Sequence, residues 1–362
     1  MSDLINIDIL GGDYEFTLEV SGIRDQFQFN YIPSNLPDIY KKILNHQPFI
    51  VSEFSLSNYT MMLDRNIADM FAIPVFVNRG FRHSIIWVRK NSKIDSIEQL
   101  KNLKVGIKDY SQTAAVWLRG ILYEEYNIHW SDIDWYANTD QRFDAPKEAN
   151  LTLVDDDPEK MVINGELDVY IAPKPMDIQK IPDERELKPL ITNFIEVERD
   201  YFKKTGIYPI NHCVMIHKDT YKKYPNIAYP LFLAYSESKK KALKRKLGST
   251  LLPWSDKQWA NIMEVFNNDP HPHGLVDANH KNVSKLVDYL FEQINNDSNC
   301  VVEISVEDKS VKCNDLEFKF QLDEFSQNRI LNGLDKIDLS LKYTKEIENY
   351  FSKRKAWKPR LI

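Results

Sequence analysis

Strand-like and helix-like stretches alternate through residues 4–172, which predicts an α/β protein. A late strand at residues 213–216 implies that the chain returns to a first lobe after building a second. Two lobes crossed twice in this way would place a ligand in the cleft between them. After residue 299 the pattern changes to short strands and then helices, a small α+β appendage. The expected organisation is one lobe from residues 1–88 with 213–294, a second from 89–212, a linker at 295–298 and a tail at 299–362.

Residues 4–10 alternate apolar and polar side chains, as a half-buried strand does. Gly11-Gly12-Asp13-Tyr14 turns the chain at that strand's carboxyl end. A strand at 27–32, a helix at 36–44, a strand at 49–54 and a helix over 55–63 follow. The apolar run 70–77 is a buried strand, and Pro74, which has no N–H to donate, puts it at a sheet edge or a bulge. Phe81-Arg82-His83 leads into a strand at 84–88, and 96–100 is a short helix. The stretch 104–122, KVGIKDYSQTAAVWLRGIL, reads as a buried strand at 105–107, a sharp turn, and a helix from Gln112 capped by Ser111. Unpaired N–H groups and the helix dipole make that turn a small anion site. Open α/β sheets bind ligands at such strand ends.

Further on, strands at 133–136 and 167–172 flank a helix at 158–164, with Asp157 as its cap and Gly165 as its stop. Residues 225–246, 256–266 and 282–293 are helical, and the polar run 295–299 marks the linker. In the tail, strands at 301–306, 310–313 and 317–322 precede helices at 323–331 and 344–353, with a turn at 332–335 between the helices.

Composition narrows the function. The 362 residues are 43% hydrophobic, enough for a sizeable core, and the formal net charge of −6 argues against nucleic acid as the partner. Cys213, Cys300 and Cys313 are far apart and form neither a metal nor a disulfide pattern, which fits a reducing compartment. The N-terminus lacks a basic segment before an apolar run, and no stretch approaches the ~18 apolar residues of a membrane span. The expectation is a cytoplasmic protein without membrane, metal or cofactor.

An ordered set of motifs carries a resemblance. They are GDY at 12–14, EFSLSNY at 53–59, IPVF at 73–76, FRHS at 81–84, QTAAVWLRG at 112–120, GELD at 165–168, IYPINH at 207–212, LPW at 252–254 and DPHPHGLVDAN at 269–279. Over residues 6–293 the sequence resembles the 4,5-dihydroxyphthalate decarboxylase family. The resemblance implies a type 2 periplasmic-binding-protein-like fold and a cofactor-free carboxy-lyase acting on a small hydroxylated aromatic carboxylate. Pro272-His273-Gly274 stands where the family often has an aromatic followed by Pro-Tyr-Gly, and Lys174 where an Arg is common. The tail, residues 318–357 with NGLDKIDLSL at 332–341, resembles the last third of the 3-isopropylmalate dehydratase small subunit. That subunit's active-site loop and Ser-Ser-Arg motif have no counterpart here, so isomerase activity within this chain is not expected. The tail would be a docking element for a dehydratase large subunit, or a trace of gene fusion.

Losing CO2 from a hydroxylated ring leaves an electron pair on carbon. Such a site needs cations for a carboxylate, a base near the hydroxyl and an acid facing the ring carbon. Arg82 can bind a carboxylate bidentately and His83 can transfer a proton near neutral pH. His212 would face His83 across the cleft, and Glu53 can serve as the base. Gln112 and Thr113 would hold a carboxylate. Ser55 and Ser57 can orient the substrate or cap a helix, and Asp13 and Tyr14 carry the same two readings. Arg119, farther along its helix, is expected to be structural. His271 and His273 are expected at the surface or cleft rim, the basic run 239–246 on a solvated helix face, and Trp254 and Trp259 in the core. Two other functions fit the same features: a non-catalytic binding protein or sensor for a small carboxylate, and a component of a dehydratase assembly recruited through the tail.

Overall fold

In a computed structural model, the described residues are 4–246, 254–294 and, within the tail, 302–305, 307–308, 310–313 and 316–319. The larger unit runs from Met1 to Ile294 and holds two six-stranded mixed sheets. Its elements in order begin with β1 (Ile5–Gly11), β2 (Gly22–Arg24), β3 (Phe27–Pro33), α1 (Leu36–Leu44), β4 (Val51–Ser55), α2 (Leu56–Asp64) and β5 (Met70–Arg79). The chain then crosses over and builds β6 (Ile86–Arg89), β7 (Lys104–Ile107), α3 (Thr113–Tyr126), β8 (Asp134–Asn138), β9 (Leu151–Val154), α4 (Pro158–Asn164), β10 (Val169–Ile171), β11 (Leu187–Pro189) and α5 (Phe194–Thr205). It returns through β12 (Ile210–His217) and ends in α6 (Lys218–Lys223), α7 (Ala228–Lys246), α8 (Ser255–Val265) and α9 (Asp277–Ile294).

The first sheet has the order β2-β3-β1-β4-β12-β5 and the second β11-β6-β10-β7-β8-β9. The returning strand β12 thus lies in the first sheet, antiparallel to β4 and β5. The two-lobed α/β organisation read from the sequence is the one observed. The crossing points differ from the expected ones. β6 belongs to the second sheet, so the outward crossing falls at 80–85 rather than at 88, and the return precedes Ile210 rather than following 212. Gly80 N–H donates to the Pro209 carbonyl, so the two crossings touch. The expected strand at 84–88 starts later, because His83–Ile85 is a 3-10 turn. Pro74 sits on the edge strand β5, where pairing with β12 also shifts register.

Helix ends follow local chemistry. Asp157 accepts the Glu159 N–H at the start of α4, and Gly165 closes that helix in the left-handed region at φ 90°. Ser111 is not the cap of α3: its hydroxyl donates to Asp109 Oδ1, and the helix begins at Thr113 behind Gln112. α9 begins at Asp277, five residues before the expected 282.

α3 serves both lobes. Ala114, Leu118 and Leu122 pack into the second sheet's core, while Val116, Trp117 and Ile121 pack with Phe54, Met61, Ile210 and Tyr289 in a core built on the first sheet. Trp117 Nε1 donates to the Ile210 carbonyl at 2.8 Å, and a Cβ on Gly120 would run into the Tyr289 ring of α9. The two lobes are therefore joined by a shared apolar core. Trp254 is 72% exposed rather than buried in a core.

The second unit, 295–362, contains a three-stranded antiparallel sheet of β13 (Val302–Ser305), β14 (Ser310–Cys313) and β15 (Leu316–Lys319). The expected linker, the helices at 323–331 and 344–353 and the turn at 332–335 lie outside the described residues. Among the described residues no helix is long and apolar enough to cross a membrane.

Candidate active site between the lobes

A cavity of about 660 Å³ opens where both crossings, the end of β5, the start of α3 and β12 converge. Four cationic residues line it, namely Arg79, Arg82, Arg142 and Lys174, against one carboxylic acid, Glu198. Arg142 is already paired, its Nε lying 3.0 Å from Asp109 Oδ2. Lys174 is exposed, on the loop after β10. Arg79 and Arg82 differ from both. Each is buried, and each donates only to neutral oxygens: Arg79 to the Tyr208 and Pro272 carbonyls and Asn279 Oδ1, Arg82 to Asn211 Oδ1. Neither has a carboxylate ion-pair partner among the described residues. Burial lowers both guanidinium pKa values to about 10, so both stay charged at neutral pH. An anion in the cavity would complete them.

Beside these cations stands His212. In the register of β12 on β4, His212 opposes Ser55, with Glu53 one diagonal step away on the same face. Glu53 is 1% exposed and its carboxylate is fully engaged. It accepts the Gly12 N–H at 2.8 Å, the Tyr14 hydroxyl at 2.7 Å and His212 Nδ1 at 2.6 Å. An acceptor at Nδ1 places the ring proton there and leaves Nε2 for the cavity. The Gly12 backbone reaches Glu53 because it carries no Cβ: one would lie 2.6 Å from the Tyr14 ring.

A continuous network links cation and imidazole. Arg82 donates to Asn211, Asn211 Nδ2 donates to Asn78 at 2.6 Å, Asn78 Nδ2 donates to the Tyr14 hydroxyl at 3.2 Å, and Tyr14 donates to Glu53. Asn211 and His212 are neighbours in one strand, yet both line the cavity, because β12 shifts register against β5 between Ile210 and Val214.

Several expectations need correction. Glu53 does not line the cavity; it lies behind His212 and orients it. His83 does not face His212. Its ring packs at 5.2 Å from Tyr201, its Nδ1 has no hydrogen-bond partner among the described residues, and burial lowers its pKa to about 4. Asp13 is exposed, and neither it, Tyr14 nor Ser57 lines the cavity. Ser57 donates instead to the Ser111 carbonyl and meets Thr113 Oγ1 at 2.9 Å. Ser55 does line the cavity; it caps α2 by accepting the Asn58 N–H, and it meets Thr113 at 2.8 Å. These hydroxyls tie the starts of α2 and α3 together across the lobes. Gln112, Thr113, Arg82 and His212 line the cavity. Arg119 is buried in the second lobe, 3.7 Å over the Tyr110 ring, and donates to the Tyr110 carbonyl.

Sequence reasoning missed Arg79, Asn78, Asn211 and Glu198. A usable signal existed for two: Arg79 lies three residues before Arg82 at the crossing, and Asn211 lies inside the quoted 207–212 motif. The basic run 239–246 is not simply solvated, since Lys239 pairs with Asp269 at 2.8 Å and Lys241 pairs with Glu19. Lys239, Trp259 and His271 line a second, mostly apolar cavity of about 420 Å³, which shares Phe81 and Tyr208 with the first. Among the described residues no group of three His, Cys, Asp or Glu is placed to hold a metal ion.

No family model matches the chain. It is 26% identical over 258 residues to 4,5-dihydroxyphthalate decarboxylase of Comamonas testosteroni, a match covering 67% of this chain and 78% of that protein. Over 102 residues it is 28% identical to the 3-isopropylmalate dehydratase small subunit of Rubrobacter xylanophilus, covering 28% of this chain. That match spans about half the subunit's length, 51%. Among solved structures, a putative sulfonate ABC transporter periplasmic sulfonate-binding protein from Methylobacillus flagellatus aligns with a TM-score of 0.49 at 15% identity, covering 81% of this chain and 88% of that one. The chain is thus similar to 4,5-dihydroxyphthalate decarboxylase over its larger part and to the 3-isopropylmalate dehydratase small subunit over a shorter segment.

Proposed function

We propose that this chain is a carboxy-lyase acting on a small aromatic acid of the 4,5-dihydroxyphthalate kind. One observation carries the reading: Arg79 and Arg82 are buried cations with neutral partners only, in the cavity that also holds His212 backed by Glu53. The similarity to a protein named 4,5-dihydroxyphthalate decarboxylase supports the same chemistry.

In the proposed reaction Arg82 and Arg79 hold carboxylate, with Gln112 at the mouth of α3 as a further donor. His212 Nε2 takes the proton of the hydroxyl para to the departing carboxylate. The freed electron pair moves into the ring, and the para carbon takes up a proton from an acid. The carbon–carboxylate bond then breaks, its electrons restore the aromatic ring and the phenolate, and CO2 leaves. His212 returns its proton to the phenolate oxygen, so the net change is a carboxylate replaced by hydrogen. Fixed donors aimed at developing charge are the largest source of such catalysis, and the shared core around α3 holds both walls of the site in register.

Incubating the purified chain with 4,5-dihydroxyphthalate and measuring CO2 tests this reading. Release that depends on His212 is expected. No release above the blank from that acid or from a series of hydroxybenzoates would overturn it.

The similarity of a shorter segment to dehydratase small subunits supports a second reading, in which the tail docks this chain onto a dehydratase large subunit. Retention of the full chain on an immobilised large subunit is expected, and no retention removes that partner.

A further inference from the structure

We infer that Glu198, on α5, is the acid that delivers the proton to the ring carbon as CO2 departs. The assignment rests on the decarboxylase reading above. That reaction needs two proton-handling groups, one for the phenolic oxygen and one for the para carbon. These two atoms lie on opposite sides of a six-membered ring, so His212 cannot serve both from one position. Among the described residues lining the cavity, Glu198 is the one carboxylic acid, and it comes from α5, whereas His212 lies on β12.

Its surroundings favour the protonated form. Glu198 is 8% exposed and makes no ion pair with the neighbouring Arg82 among the described residues. Burial raises its pKa above the usual carboxylate range, while the Ser84 N–H and the Arg82 charge pull the other way. A carboxylic acid whose pKa burial raises, set in the cavity beside a charged guanidinium, can give up a proton to carbon and recover one from solvent. Glu198 Oε1 also accepts the Ser84 N–H at 3.0 Å, at the crossing just after Arg82 and His83. That bond fixes the carboxyl group relative to the arginine that holds the substrate. It also means that a fastening role at the crossing must be separated from an acid role.

Glu198→Gln separates them, because its amide oxygen still accepts the Ser84 N–H while the side chain can no longer supply an acidic proton. Wild type, E198Q, E198D and E198A are compared with 4,5-dihydroxyphthalate, following CO2, melting temperature and, in D2O, ring C–H exchange of the decarboxylated product by NMR. The expected result is a fall in kcat of ~10²–10⁴-fold in E198Q with KM within a few-fold and the melting temperature retained. E198D keeps more activity than E198Q, and formate restores part of the activity of E198A. By microscopic reversibility, with bicarbonate added to supply CO2 for the reverse step, the wild type exchanges the product's ring hydrogen and E198Q does not. E198Q within threefold of wild type, or E198Q at least as active as E198D, overturns the assignment. Absence of CO2 from the wild type overturns the decarboxylase reading and this assignment with it. An active wild type with an active E198Q overturns the acid alone.

Discussion

His212 Nδ1 lies 2.6 Å from Oε1 of Glu53, a carboxylate 1% exposed and held by two further donors. The pair sets which ring nitrogen faces the cavity. In Glu53→Gln the amide can turn its NH2 toward Nδ1, which moves the ring proton to Nε2 and removes the base. The proposed function therefore predicts a loss in kcat of about 10²–10⁴-fold with KM changed only a few-fold. His212→Asn should give a loss of the same order, and the double variant should be no worse than either single one. Steady-state CO2 release measures all three, and an E53Q enzyme with more than half the wild-type kcat would remove His212 from the base role.

Arg82→Met and Arg79→Met should act on binding first. Each removes one buried guanidinium with no carboxylate partner, so KM for a dicarboxylate should rise by about 10–100-fold, or 1.4–3 kcal/mol. Arg82→Lys should not restore it, since one ammonium cannot keep Asn211 and grip a carboxylate with a planar fork. The pH dependence has a fixed sign. With both pKa values lowered to about 10, the charged form that binds the anion persists through neutrality and is lost as pH rises through 10. Calorimetric titration with phthalate between pH 7 and 10.5 checks this, and binding that weakens already at pH 8 would contradict it.

The fold was legible because local signals agreed with one another. Alternation at residues 4–10, Asp157 and Gly165 around α4, and Pro74 on β5 each report a local constraint that the tertiary structure keeps. The crossing points were misplaced because 84–88 reads as strand, whereas Glu198, distant in sequence, holds the Ser84 N–H in a 3-10 turn. The cavity was only partly legible. A sequence shows that Arg82 and His83 are adjacent, but not that one turns to the cavity and the other against Tyr201. Glu53 and His212 are 159 residues apart, and only the register of β12 on β4 brings them together. Asn211 escaped for a related reason: strand alternation hides one of two neighbours, and the register shift of β12 exposes both.

Gly120→Ala tests the fixed junction between lobes. Gly120 lies in mid-helix, where glycine costs up to ~1 kcal/mol relative to alanine, so an exposed site would gain stability from the change. Here the added methyl meets the Tyr289 ring, which is fully buried and anchored by its hydroxyl on Glu124 at 2.6 Å. The prediction is a net loss of about 1–3 kcal/mol by chemical denaturation. Adding Tyr289→Leu to G120A should recover part of that loss, because the clashing ring is gone. Stabilisation by G120A alone would show that α3 and α9 pack less closely than the structure has them.

Acid should destabilise the larger unit through three histidines, His83, which is buried, and His271 and His273, which are half-buried. His83 and His271 are each lowered to about 4 and His273 to about 3, in every case chiefly by burial. Arg79 and Lys239 also repel a second charge at His271 and His273. Between these values and the ordinary 6.5 the unfolded chain binds protons that the folded chain does not. Stability therefore rises with pH across that window and is lost as pH falls from 6.5 toward 4. For His83 alone the loss reaches about 3 kcal/mol by pH 4, at ~1.4 kcal/mol per pH unit below 6.5. His273 has no hydrogen-bond partner at either ring nitrogen among the described residues, and its ring lies 6.5 Å from Phe232. His273→Phe should thus leave stability near pH 7.5 within about 1 kcal/mol and flatten its decline at low pH. Urea midpoints at pH 7.5, 6 and 5 decide the point: parallel curves for wild type and H273F would mean that His273 already carries its proton in the folded state.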